Sequence, residues 1–208
     1  MCGRYSNQTT WAEVQAFSAP LPVLVPDAMP EQVRIAPTDL AWVLAHDGHG
    51  GAKAGTMRWG LVPHWSKEAK MAFSTINARV ETVEQKPAFR EAFQRRRCLV
   101  VADAYFEWTP IDTKKKQAWR IHAAQNKVML MAGLWERWVG PDASPLLSFT
   151  IVTEPAIGAM RELHERRPVA LAALDLATWL RGSAQQAMAM LRERTAPDMS
   201  WQVVASPK

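Results

Sequence analysis

Cysteine, tyrosine and long apolar runs are what this chain has least of. Two cysteines in 208 residues, Cys2 and Cys98, exclude a disulfide framework and point to a cytoplasmic protein. No apolar run approaches the ~18 residues of a membrane span. No basic-then-apolar leader opens the chain, so neither a membrane partner nor secretion is expected. With no internal repeat and no low-complexity tract, residues 1–208 read as a single domain. The five histidines and two cysteines show no ligand spacing, so no metal and no other cofactor is expected. His46 and His49, in the glycine-rich tip His46-Asp47-Gly48-His49-Gly50-Gly51, read as a solvated loop. What the chain does have is a net charge of +5 and ten tryptophans. The charge favours a polyanionic partner. Most of the tryptophans belong in a core, but aromatics interleaved with arginines also suit unstacked bases.

The stretch around which the rest is organised is Met1-Cys2-Gly3-Arg4-Tyr5. Once Met1 is removed, Cys2 carries an α-amine and a thiol on adjacent carbons, a pair no internal cysteine offers. An aldehyde can be captured by that pair twice, first as an imine and then by sulfur, closing a five-membered thiazolidine. Both groups reach their nucleophilic forms near neutrality, the amine titrating near ~7.7–8.0 and the thiol near ~8.5.

Thr10-Trp11-Ala12-Glu13 has capping-box spacing and starts a short helix that Ala19-Pro20 ends. Residues 20–39 carry five prolines and read as an extended loop. Leu40–Ala45 and Thr56–Leu61 form a hairpin about the glycine tip. Pro63-His64-Trp65-Ser66 is a turn that displays an aromatic. Residues 75–81 alternate, putting Asn77, Arg79 and Glu81 on one face. Pro87–Arg95 reads as a basic helix burying Phe89 and Phe93. Cys98–Val101 is a buried strand. It leads into Ala104–Thr109, where Tyr105 and Glu107 share a face and Glu107 should be partly desolvated, with a raised pKa. Lys114-Lys115-Lys116 marks a hairpin tip. Trp119–His122, Val128–Trp135 and Leu146–Thr153 read as an antiparallel meander. Glu154-Pro155 reads as a helix start, with His164 in a polar loop after it. Val169–Leu171 is a strand, Asp175–Arg181 and Ser183–Arg194 are helices, and Trp201–Val204 is a last strand. The pattern is α+β, with a curved, barrel-like antiparallel sheet core and flanking helices.

Taken in order, nine pieces of the chain resemble the SOS response-associated peptidase (SRAP) family, whose members shield abasic sites in single-stranded DNA. They are Met1-Cys2-Gly3-Arg4-Tyr5, Ile35-Ala36-Pro37-Thr38, residues 57–63, Asn77-Ala78-Arg79-Val80-Glu81-Thr82, residues 86–90, Arg97-Cys98-Leu99-Val100, Tyr105-Phe106-Glu107-Trp108, Ala132-Gly133-Leu134-Trp135-Glu136 and Leu163-His164-Glu165-Arg166. The resemblance implies that Cys2 is the nucleophile after loss of Met1, with Asn77, Glu107 and His164 completing the catalytic set. It also implies that Arg4, Trp59, Pro63, Trp65, Arg79 and Arg166 hold or wedge the DNA. The implied partner is single-stranded DNA containing an abasic site, bound without sequence preference by a monomer. The implied chemistry is a covalent crosslink, with lyase-like and self-processing activity open to the same nucleophile. Ala104, Glu165, Arg167 and Arg34 depart from the family's usual residues. Arg167 is expected to add charge near the DNA path. Two other readings stand beside this one: a cysteine peptidase or amidohydrolase using Cys2, and a non-covalent binder of single-stranded or modified DNA.

Overall fold

The computed structural model describes residues 2–69, 75–141 and 143–206. After Tyr5–Asn7 (β1) comes helix Trp11–Ser18 (α1), begun by the reciprocal box that the sequence predicts. The Glu13 N–H donates to the Thr10 side chain, and the Thr10 N–H donates back to the Glu13 carboxylate at 2.7 Å. The proline-rich stretch is not all loop. It contains the short strands Val23–Leu24 (β2) and Gln32–Ile35 (β3), each at the edge of a sheet, where flanking prolines leave the ladder intact. Leu40–His46 (β4) and Ala52–Trp59 (β5) form the expected hairpin, and Asn77–Arg79 (β6) is a three-residue strand. Pro87–Arg95 (α2) buries Phe89 and Phe93 as the i,i+4 spacing requires.

Five strands make the core: β4, β5, Arg97–Ala102 (β7), Met129–Val139 (β10) and Pro145–Pro155 (β11). They pair in the order β11-β10-β7-β4-β5, and β5 returns to β11 to close a barrel. All pairs are antiparallel except the closing one, where Ser148 faces Arg58 and Phe149 faces Trp59 in parallel register. Closure leaves the ring without a free edge. Side chains alternate cleanly across its wall. Leu44, Leu99, Val101, Leu130 and Leu134 join Phe89, Phe93 and Trp179 in one cluster. Helices cannot fit inside a five-stranded ring, so this helix-covered side is the outside. Val43, Cys98, Val100, Met131, Phe149 and Ile151 form the other cluster, the inside. The interior is tight at Gly133, where a Cβ would meet Cys98 Sγ and Val100 Cγ2, each at 2.9 Å. Burying each aliphatic or aromatic side chain of these layers is worth about 1.5–3 kcal/mol.

A second, wholly antiparallel sheet runs β14-β9-β8-β1-β3, with β8 spanning Ala104–Pro110, β9 Lys116–Ala123 and β14 Met199–Val204. Here the predicted meander is corrected. β9 belongs to this sheet and β10 to the barrel, so consecutive strands part company. The predicted helix at Glu154-Pro155 is also absent. Pro155 ends β11, pairing with Arg166 of the strand Arg166–Pro168 (β12), and only a 3₁₀ turn, Gly158–Glu162, follows. The fixed φ of proline suits a strand end as well as a helix start. Ala170–Leu171 (β13) pairs with β10. Helices Leu176–Arg181 (α3) and Ala184–Glu193 (α4) cover the barrel, the latter capped by Ser183 and Gln186. Buried Arg97 donates from Nη1 to the Phe93 carbonyl at 2.5 Å and from Nη2 to the Gly182 carbonyl, tying α2 and α3 to β7.

Candidate active site

The chain start, β6, β8 and the turn before β12 converge on one end of the inner cluster. Cys2 is fully buried there with Tyr5, Trp59, Ile76, Tyr105, Ala156 and Met160. Asn77 is the first residue of β6, fixed to β11 by parallel pairing opposite Ile151. Its Nδ2 donates to the Cys2 carbonyl at 2.9 Å, across 75 residues of sequence. Its Oδ1 is buried and accepts no hydrogen bond from the described residues. Glu107 lies on β8 opposite Trp119 and is buried. Burial raises its carboxyl to about 7, so both protonation states are populated at neutrality. The Cys2 thiol is also pushed up, first by burial and then by the negative charge of Glu107, which places the two groups within electrostatic reach of each other. His164 follows the 3₁₀ turn and is half-buried. Its Nδ1 accepts from the Arg166 N–H at 2.9 Å, so in the neutral ring the proton sits on Nε2. Burial lowers its pKa, favouring that neutral form. Met1, expected from the sequence to be removed, lies outside the described residues.

The six residues expected to touch DNA divide sharply. Trp65 is 59% exposed at the tip of its turn, Pro63 and Arg4 are half-buried, and Arg79 is exposed on β6. Two expectations are corrected. Trp59 is fully buried, edge-on to Tyr5 at 5.2 Å and stacked on Phe149, with its Nε1 donating to the Ile76 carbonyl. It packs beneath Cys2 and Tyr5 in the inner cluster. Arg166 is buried and committed on both arms, Nη1 to Glu81 at 2.5 Å and Nη2 to Glu81 and the Thr153 carbonyl. It braces β12 against β11. Arg167, expected to add charge near the DNA path, is buried against Glu154 at 2.8 Å, and Arg194 holds the other oxygen of that carboxylate.

The sequence pattern of the SOS response associated peptidase (SRAP) family matches residues 1–207. The chain belongs to the SRAP family. Among SRAP relatives, the abasic site processing protein YoqW of Bacillus subtilis is 32% identical over 186 residues, covering 86% of this chain and 80% of that protein. Its YoaM namesake from the same organism is 37% identical over 146 residues, 70% of this chain and 64% of that protein. Among solved structures, a Bordetella bronchiseptica protein superposes with a TM-score of 0.82 over 99% of this chain and all of that chain, at 23% identity. A phage-related protein from the same organism gives 0.78 at 26% identity, covering 99% and 95%.

Buried Tyr105 sits close enough to feel both Cys2 and Glu107, as the alternation on β8 implies, but its nearness to Cys2 has no mark in the sequence. A second feature has none either. It is a polar cluster under the Trp65 turn, joining His64, Glu91, Arg96 and Glu136, residues with no common motif. A cavity of about 550 Å³ opens elsewhere, between α1 and the residues around Gln125 and Pro197, and none of the four catalytic candidates lines it.

Proposed function

We propose that this SRAP protein processes abasic sites in single-stranded DNA by joining itself to them through Cys2. The amine nitrogen attacks the aldehyde carbon of the ring-opened sugar. The carbonyl oxygen leaves as water with the two nitrogen-borne protons, giving an imine. The thiol then adds across the C=N bond, sulfur to carbon and proton to nitrogen, closing the thiazolidine. Water loss calls for an acid and thiol addition for a base, and one carboxyl titrating near 7 serves both steps. The observation that carries the reading is the arrangement of Cys2, hydrogen-bonded by Asn77, within the field of buried Glu107. Asn77 keeps Oδ1 available to orient the amine or a sugar hydroxyl. His164, with its proton on Nε2, is suited to donate to the displaced sugar oxygen. Arg4 and Arg79 would neutralise backbone phosphates, and Trp65 with Pro63 would stack against an unpaired base. The names of the relatives support the same target.

Burial and Glu107 disfavour the free Cys2 thiolate, so sulfur attack, on an imine or on a peptide carbonyl, needs a base beside the thiol. Intact mass spectrometry with an oligonucleotide carrying one abasic site tests the proposal. The expected product is protein plus oligonucleotide minus one water, stable in denaturant. Binding with no mass increase would overturn it.

A further inference from the structure

The turn that displays Trp65 is held from below by a cluster that the chemistry at Cys2 does not use. Ser66 N–H closes the turn on the Pro63 carbonyl at 2.9 Å, and Trp138 Nε1 on β10 donates to the Ser66 carbonyl at 2.7 Å. His64 is pinned between two carboxylates, Nδ1 at 3.2 Å from Glu136 and Nε2 at 3.5 Å from Glu91. Arg96 bridges the same two, Nη2 lying 3.0 Å from Glu91 and 2.9 Å from Glu136. Glu136 is buried on the barrel wall and also accepts from the Arg137 N–H, whereas the His64 side chain is 45% exposed. A neutral imidazole has one donor and one acceptor, so it satisfies only one of the two carboxylates. Only the imidazolium donates to both.

We infer that His64, anchored by Glu136 and Glu91, is a positioning residue that holds the Trp65 turn ready for DNA, more firmly when the imidazole is protonated. This rests on the proposed DNA reading. The groups facing His64 are Glu91 on α2 and Glu136 on β10. Arg96 lies beyond both.

The test is a double-mutant cycle, H64Q and W65A singly and together, read by fluorescence anisotropy on an undamaged single-stranded oligonucleotide. Melting curves accompany each variant. H64Q should weaken binding roughly 3- to 5-fold at pH 6, the scale of half-exposed ion pairs. It should cost less at pH 8 and almost nothing in the W65A background. Equal losses in both backgrounds would mean that His64 touches DNA itself or acts only on the fold, and would overturn the inference. Loss without pH dependence would overturn its protonation arm. If W65A alone leaves affinity unchanged, the turn is no contact surface and the inference fails. The covalent reading is judged separately, by the abasic adduct.

Discussion

The two cysteines are both fully buried in the inner cluster, and burial raises both thiols, yet the polar groups beside them differ. Cys98 lies inside the barrel, its sulfur wedged against Gly133 and its carbonyl accepting from Trp179 Nε1 at 2.8 Å. Desolvation is the sole cause acting on its thiol. Cys2 lies at the barrel's end, where a carboxyl from β8, an amide from β6 and a histidine turn come together. Burial alone makes a thiol inert. On the proposed function, what separates Cys2 from the structural Cys98 is the set of polar groups that the topology brings to the same dry place. The adjacent amine adds to that distinction at Cys2.

The contrast breaks most visibly in a swap of roles. Cys2→Ala should abolish the denaturant-stable adduct, whereas Cys98→Ala should leave crosslinking intact, as read by denaturing gels with an abasic oligonucleotide. An adduct that depended on Cys98 would end the distinction. Next in size is Glu107→Gln, expected to slow crosslinking by about 10²-fold through loss of proton transfer, measured as single-turnover rates. The same variant has a stability signature. The folded carboxyl titrates at about 7, above its unfolded value, so its contribution is fully present below pH ~4.3 and is lost as pH rises through 7. Glu107→Gln should therefore be more stable than wild type at pH 8, by at most about 4 kcal/mol, with the gap closing towards pH 4. A gap between the two proteins that stays constant from pH 4 to pH 8 would contradict the burial of this group.

On the structural side of the comparison, Gly133→Ala should destabilise by about 1–3 kcal/mol, because its Cβ would strike Cys98 Sγ, Val100 and the Thr150 carbonyl. Denaturant melts would check this, and Cys98→Ala should recover part of the loss by vacating the sulfur. The smallest effect is Cys98→Ala alone, about 1 kcal/mol for a small side chain removed from a packed interior.

Local chemistry was legible in the sequence, and closure was not. The capping boxes at Thr10 and Ser183 follow from residue type and spacing, as do the buried face of α2 and the β8 alternation that pairs Tyr105 with Glu107. The parallel seam of β5 on β11 joins segments about ninety residues apart and leaves no local mark, so only a barrel-like sheet could be foreseen. The tryptophans show the same limit. Trp59 and Trp65 look alike in a list of aromatics near arginines, but Met57 and Trp59 share the inward face of β5, whereas Trp65 sits on a turn. The sequence places Arg166 on DNA and the Arg167 charge near its path because neither partner carboxylate is announced locally: Glu81 is far away in the chain, and Glu154 meets Arg167 only through the pairing of β11 with β12. Of the catalytic candidates, Cys2, Asn77 and Glu107 are joined by a hydrogen bond and a shared field, and His164 stands on the turn that packs against the same cluster.

In the proposed function the amine and thiol of Cys2 act together on one carbonyl. The most direct measurement is the intact mass of the abasic-DNA adduct for wild type and Cys2→Ala, each with and without borohydride reduction. The account predicts a wild-type adduct that survives denaturation unreduced, and a Cys2→Ala adduct that appears only when the imine is trapped by reduction. Equal, reduction-independent adducts from both proteins would contradict it.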